Sequence, residues 1–523
     1  MSASPGDPSG PLAILPSYQA TSEHTEDSVW RLLARPCADG GEQLRDELRR
    51  AQSEGGTHDA PLAALRRDEG GLDPTAVAAF LNHALMLHQS LFEGVGRVAP
   101  PLPHVHRSHH RQEDEEHATS EEQARIATHR EAHRQDDGQA RPHRTAHRHE
   151  DEQTPPVAHD DDELARTLLS AGSDAVAVRL REAARDVSLS GGVDSAVLCM
   201  LAARHAPGRI RAWSMDVHFA DETERRNART VARLAGVEHV DVPIPDAVLP
   251  ELFEQAVLAN ESPILNARAI ASFAFYAEAR RRGASVMLSG AGADEVLMGN
   301  PGALTAAMAR IEEDRRLVQS VLRASVDNLR TRHPAPVAES FTVGNLGTAP
   351  WSLSDTSTSE EVRYAAWVLR ELVLPPELRG ARAHGITVHT PYLDTRFADV
   401  ALALPESSLR REGVGKWLFR HAVRGLVPDE VRLARKTPRY GHTALSSPAR
   451  ARWLELYREW LSPARMEPLG VILPEAPLSL LERYTRLAPD APEASVVDRL
   501  LMRLCSLAML HAHAVRLRPC PES

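Results

Sequence analysis

Between residues 162 and 300, short apolar runs alternate with amphipathic ones, and two of the apolar runs end in a serine–glycine corner. "DELARTLLSAGSDAVAVRLREAA" predicts a helix, and the chain then enters a strand around Val187–Leu189. A helix follows over Asp194–Arg204, then a strand "RIRAWSM", a helix "DETERRNARTVARLAG" and a short strand "EHVDVPI". Two helical stretches separate these from a further strand, "ASVMLSG". Strands and helices alternating at this length imply parallel pairing with helices on both faces. The fold class expected is therefore α/β, a doubly wound parallel sheet that binds its ligand beyond the carboxyl ends of the strands. After about residue 301 the pattern turns mostly helical, giving a helical C-terminal extension.

The first corner lies in "DVSLSGGVDSAVLCM", Asp186 to Met200. Ser190, Gly191, Gly192, Asp194 and Ser195 stand between a strand and a helix N-terminus, where backbone N–H groups are free and the helix dipole is positive. Glycine lets the backbone come close to an anion, and serine hydroxyls add donors. Such a corner suits phosphate or pyrophosphate. Asp194 conflicts with an anion unless a magnesium ion lies between carboxylate and phosphate. The plain alternative is an ordinary turn before a capped helix. The lysine of a Walker-type loop is missing. The second corner, "VMLSGAGADEVLMG" from Val286 to Gly299, repeats the design with Ser289, Gly290 and Asp294. Asp194 and Asp294 at one sheet edge can share a magnesium ion, the alternative for Asp294 being a helix N-cap.

Elsewhere the composition sets bounds. The 523 residues are too many for one ordinary domain, and a net charge of −11 gives no global attraction to nucleic acid or membrane. The four cysteines, Cys37, Cys199, Cys505 and Cys520, form no CxxC pair, which fits a reducing cytoplasm better than a disulfide framework or structural zinc. No stretch approaches the roughly 18 apolar residues of a membrane span, and the N-terminus has no signal-peptide pattern. A cytoplasmic protein is expected. Residues 104–162 are crowded with His, Arg, Glu, Asp and Gln and nearly lack large apolar side chains, so a disordered linker is expected there. Its histidines leave a metal-binding reading open. No internal repeat is present.

Further along stand "AHGITVHTPYLDTRFADVALALP" and "GVGKWLFRHAVRGLVPDEVRLARK". With SGGVDS and LSGAGADE before them, this ordered set resembles the synthetase domain of the asparagine synthetase B family, which includes β-lactam synthetase and the lasso-peptide macrolactam cyclases. The likeness is good over about 180–440 and weaker beyond. It implies the PP-loop, adenine nucleotide α-hydrolase-like fold of the ATP pyrophosphatases, with ATP and Mg2+ as cofactors. Ser190, Gly191, Gly192, Asp194, Ser195, Ser289 and Gly290 would then bind the nucleotide, and Asp194 and Asp294 the metal. Leu189 and Met215 would lie where relatives hold adenine. Lys416 would contact pyrophosphate, and Lys436, eight residues after Pro428, would be the catalytic lysine. The ordinary reading of either lysine is a surface charge.

"SLFEGVGRVAPPLPH", from Ser90 to His104, looks like the closing segment of the family's glutaminase domain. The usual second-position cysteine is replaced by Ser2. Residues 1–103 are thus expected to be a degenerate glutaminase-like region, 104–162 the linker and 163–517 the synthetase domain. Ala291 stands where relatives carry Glu or Tyr, and Thr387 and His389 where asparagine synthetases carry Glu and Arg. Glu371 and Glu377 lie near the expected site, though a solvated helix face explains either, and His389 and Tyr392 could line it or simply pack. The expected activity is an ATP-dependent amide-forming ligase that adenylates a carboxylate and lets an amine displace AMP, of lactam or macrolactam type. The alternatives are an asparagine synthetase using ammonia and an ATP-binding pseudoenzyme or scaffold. Expected partners are a small-molecule or peptide substrate bearing a carboxylate and an amine, and pathway proteins, with no nucleic acid and no membrane.

Overall fold

A computed structural model describes residues 72–83, 91, 161–323, 349–351, 359–434 and 442–516. Lys436, nearly all of the expected glutaminase-like region, and residues 104–160 of the expected linker lie outside the described residues. Helix α1 (Pro74–Leu81) with its flanking residues is the described part of the N-terminal region. From Asp161 the order is α2 (Asp161–Arg181), β1 (Asp186–Ser188), α3 (Val193–His205), β2 (Arg211–Asp216), α4 (Glu222–Ala235), β3 (Glu238–Pro243), α5 (Val248–Asn260), α6 (Ala267–Arg281) and β4 (Val286–Leu288). Every strand and helix expected between 162 and 290 is present. The expected helical part follows as α7 (Ala293–Val296), α8 (Ala303–Val318), α9 (Glu360–Val368) and two π-helical turns, Leu369–Val373 and Pro375–Arg379.

A fifth strand, β5 (Thr387–His389), lies inside the "GITVHTPYLD" motif and was not expected from the sequence. It is three residues long, too short for an alternation to register. The five strands are parallel in the order β3-β2-β1-β4-β5. Strand order therefore reverses between β1 and β4, which makes the crevice at their carboxyl ends the natural ligand site of a doubly wound sheet.

Sheet side chains alternate between two cores. Trp213, Val242 and Met287 point to one face, where α5, α6 and the later helices α12 (Arg450–Trp460), α13 (Ala476–Tyr484) and α14 (Pro492–Arg516) pack. Val187, Leu189, Ala212 and Leu288 point to the other, against α2, α3, α4, α10 (Thr395–Ala403) and α11 (Trp417–Ala422). Burial on both faces is what a parallel sheet requires. α4 is fixed at both ends: Asp221 accepts from the N–H groups of Thr223 at 2.7 Å and Glu224 at 3.1 Å, and Gly236 closes it in the left-handed conformation.

A buried polar node joins α1 to the C-terminal helices. Arg499 donates to Asp314 on α8 at 2.6 Å, and His83 lies 2.8 Å from the same carboxylate. Arg503, 1% exposed, donates to the Leu81 carbonyl at 2.9 Å. Burial, assisted by the Arg503 charge, pulls the His83 pKa down to about 4. Cys199 and Cys505 are buried free thiols. No helix among the described residues is long and apolar enough to cross a membrane.

Candidate active site

β1 and β4 are hydrogen-bonded neighbours in register, Val187 against Leu288, so their two serine–glycine corners lie side by side at the sheet's carboxyl edge. In the first corner Gly191 has φ +85°, and a Cβ there would lie 1.9 Å from the Glu224 carbonyl oxygen. Only glycine permits that approach of the corner to α4. The Ser195 hydroxyl braces the loop, accepting from the Ser190 N–H at 3.1 Å and donating to the Gly192 carbonyl at 3.1 Å. Among the described residues no side chain caps α3, which leaves its first-turn N–H groups facing the corner. Ser190 is exposed and Gly192 half-buried, so an anion can reach them.

Asp194 from the first corner and Asp294 from the second converge on Lys416. The Nζ of Lys416 lies 2.6 Å from Asp194 Oδ2 and 2.7 Å from Asp294 Oδ1. Lys416 sits in the left-handed region at φ 57°, just before α11, and its side chain is only 3% exposed. Gly299 makes room for it, since a Cβ there would meet Asp294 Oδ1 at 2.2 Å and the Lys416 Cε at 2.3 Å. Burial opposes the lysine charge, but the two carboxylates outweigh it and hold the Lys416 pKa above its ordinary 10.5. Two of the ammonium's three donors are engaged, which leaves one for a further acceptor.

Asp194, Asp294 and Lys416 by themselves sum to one formal negative charge, and Arg420 lies near enough to interact with both carboxylates. Asp194 Oδ1 is buried and has no hydrogen-bond partner among the described residues. A hard divalent cation fits this donor set: it would take the orphaned oxygen, reverse the sign of the site and draw in a polyphosphate. Tyr392, fully buried, donates its hydroxyl to the Asp194 carbonyl at 2.8 Å and so positions the first corner. That role belongs to the fold of the corner and fits the packing alternative for Tyr392.

Leu189 is 0% exposed in the core, its N–H donates to the Trp213 carbonyl, and its own carbonyl accepts from Ser214 at 2.6 Å. Met215 is half-buried at the end of β2. In the second corner Ser289 is buried and Gly290 half-buried, and a Cβ on Gly290 would touch Asp194 Cβ at 3.4 Å. Thus Ser190, Gly191, Gly192, Asp194, Ser195, Ser289, Gly290, Asp294 and Lys416 gather at one edge, while Lys436 lies outside the described residues.

Glu377 is the residue that sequence reasoning undervalued. It accepts from Tyr276 Oη at 2.6 Å and from Ser289 Oγ at 3.0 Å, which sets it at the second corner and not on a solvated helix face. Burial and the neighbouring carboxylate raise the Tyr276 phenol well above its ordinary value. His389 instead turns toward Glu182, 3.8 Å away.

A parallel sheet with paired glycine corners, two acids and a buried lysine at its carboxyl edge defines an α/β domain of the doubly wound class. The family model for asparagine synthase matches residues 165–512, and the chain belongs to the asparagine synthase family. Asparagine synthetase (glutamine-hydrolyzing) 1 of Bacillus subtilis is 24% identical over 315 residues, covering 53% of this chain and 49% of that protein. A putative asparagine synthetase (glutamine-hydrolyzing) of Mycobacterium tuberculosis is 25% identical over 319 residues, covering 53% and 48%. The chain spans about half the length of the curated relatives it matches.

Proposed function

We propose that the chain is an ATP-dependent ligase that forms an amide bond, of the lactam or macrolactam type found in lasso-peptide cyclases. The observation that carries this reading is the convergence of Asp194 and Asp294 on the buried Lys416, with Asp194 Oδ1 left unpartnered. In this reading the two corners take the ATP phosphates, Met215 flanks adenine, Leu189 being buried in the core, and Asp194 and Asp294 hold Mg2+. The metal would supply charge neutralisation for the triphosphate. A substrate carboxylate oxygen attacks the α-phosphorus, the bond to the β-phosphate oxygen breaks, and pyrophosphate leaves against Lys416 and Lys436. An amine nitrogen then attacks the acyl carbon, AMP departs, and the nitrogen gives up a proton. Glu377, held at the second corner by Tyr276 and Ser289, is the candidate acceptor for that proton.

The lactam-type reading is supported by Ala291, which offers only a methyl at the second corner, and by His389, which faces Glu182. Neither supplies the Glu or Arg expected for aspartate. The relatives' names favour a second reading, an asparagine synthetase, here taken with ammonia as the nitrogen source. Incubation with ATP, Mg2+ and candidate substrates, followed by mass spectrometry, tests both. AMP with a product lighter by one water from a single amino-acid or peptide substrate is expected. Asparagine formed from aspartate and ammonium would establish the second reading, and ADP in place of AMP would overturn both.

A further inference from the structure

The same parallel register that builds the nucleotide corner builds a second cluster farther along the edge. β2 and β3 end level with one another, Asp216 against Pro243. His218 lies just beyond the first end and Asp246 just beyond the second. His442 joins them from the C-terminal part of the chain. One ligand atom from each of the three lies within 4.8 Å of the other two.

From this geometry we infer a binding site for a borderline divalent metal ion, of the zinc class, formed by His218, Asp246 and His442. The side chains of His442 and Asp246 are 7% and 4% exposed. Both are buried with an unpartnered polar atom among the described residues, Nε2 of His442 and Oδ1 of Asp246. The two residues approach only to 3.6 Å, between Nε2 and Asp246 Oδ2, which is beyond hydrogen-bond reach. Two buried polar atoms without partners are costly, and a shared cation would satisfy both.

The chemistry of the donors fits. An imidazole ligates a metal in its neutral state. Phe219 stacks on the His442 ring, with centroids 4.4 Å apart, and fixes its plane. Ser447 Oγ donates to Asp246 Oδ2 at 2.6 Å, a bond from behind that orients the carboxylate. His218 is exposed and can swing inward, closing the donors around an ion at about 2.0–2.2 Å and leaving a fourth position for water. Two imidazoles and a carboxylate favour zinc or a similar ion over magnesium or calcium, which prefer oxygen donors alone. Such an ion would tie the ends of β2 and β3 to the chain just after Lys436. The inference does not depend on the ligase reading.

The test uses the full chain, stripped with chelator, loaded with zinc and dialysed against a weak competing chelator. Metal content and zinc-dependent melting temperature are then compared among wild type, Asp246→Asn and His218→Ala. All three proteins keep the histidine-rich 104–162 segment, so its zinc cancels in the comparison. Wild type should retain one equivalent more than Asp246→Asn, and His218→Ala should bind that equivalent at least about tenfold more weakly. Zinc should raise the melting temperature of wild type and leave that of Asp246→Asn unmoved. Should Asp246→Asn fail to fold, His218→Ala decides, because His218 is exposed and its loss leaves the core intact. Equal zinc content and affinity in wild type and His218→Ala would overturn the site.

Discussion

Replacing Lys416 with methionine tests the centre of the site directly. Methionine matches the lysine stem in length and volume and tolerates a buried setting, so the change removes the charge while keeping the packing. In wild type the ammonium touches Asp194 at 2.6 Å and Asp294 at 2.7 Å, with 3% of the lysine side chain exposed. Without it two carboxylates face each other with no cation between them. Removing one partner of a buried pair costs about 3–5 kcal/mol, because the remaining charge stays desolvated. The acids are themselves 22% and 18% exposed, so water relieves part of this and the lower end, about 3 kcal/mol, is expected. Urea unfolding of Lys416→Met, Asp294→Asn and the double variant gives the coupling. The double variant should regain a large part of the loss, since one carboxylate has gone with the lysine. Mg2+ should stabilise Lys416→Met more than wild type, because it substitutes for the missing charge beside Asp194 Oδ1. Additive single costs, or a Lys416→Met protein within 0.5 kcal/mol of wild type by this ~3 kcal/mol scale, would refute the coupling argument.

Three further outcomes follow from buried groups. Gly191→Ala should cost at least about 1–3 kcal/mol and abolish nucleotide protection against heating, because its Cβ would meet the Glu224 carbonyl at 1.9 Å with φ at +85°. Burial raises the Asp498 pKa to about 6, so its contribution to stability is full below pH 3.8 and is lost as pH rises through 6. Asp498→Asn keeps an Oδ1 for the Ala444, Tyr457 and Tyr484 donors and should stabilise at pH 7 by up to about 3 kcal/mol, a gain that vanishes near pH 4 in pH-dependent unfolding. His83 has the opposite sign. With its pKa lowered to about 4, stability is full above pH 6.5 and falls by about 3 kcal/mol as pH drops toward 4. His83→Gln should flatten that slope, and an unchanged slope would clear His83 of the acid sensitivity.

The sheet was legible because its two central strands, β1 and β4, end in residue types that stop them. Ser190-Gly191-Gly192 and Ser289-Gly290 mark where strand gives way to helix, and the Asp221 cap and Gly236 stop fix α4. β5 was not legible, since Thr387–His389 is held by its pairing with Val286–Leu288 and carries no pattern of its own. Glu377 was misread for a related reason. It lies in a π-helical turn, Pro375–Arg379, where the 3.6-residue period that separates a solvated face from a packed one does not hold.

The acid–lysine cluster and the histidine–aspartate cluster show what local reading leaves out. Asp194 and Asp294 are a hundred residues apart, yet β1 and β4 are neighbours, so two similar corners become one site. His218 and Asp246 follow strands that end level, so two unremarkable loop residues become neighbours in one cluster. In both cases the third member, Lys416 or His442, comes from beyond the sheet, and burial then changes its chemistry. Lys416 is held charged by two carboxylates, whereas His442 is driven toward neutrality. A lysine beside two acids attracts a hard cation and phosphate, and a neutral imidazole beside a carboxylate attracts a borderline metal. On the two readings proposed above, one parallel edge would hold two different ligands, because the chain delivers a different third group to each pair of strand ends.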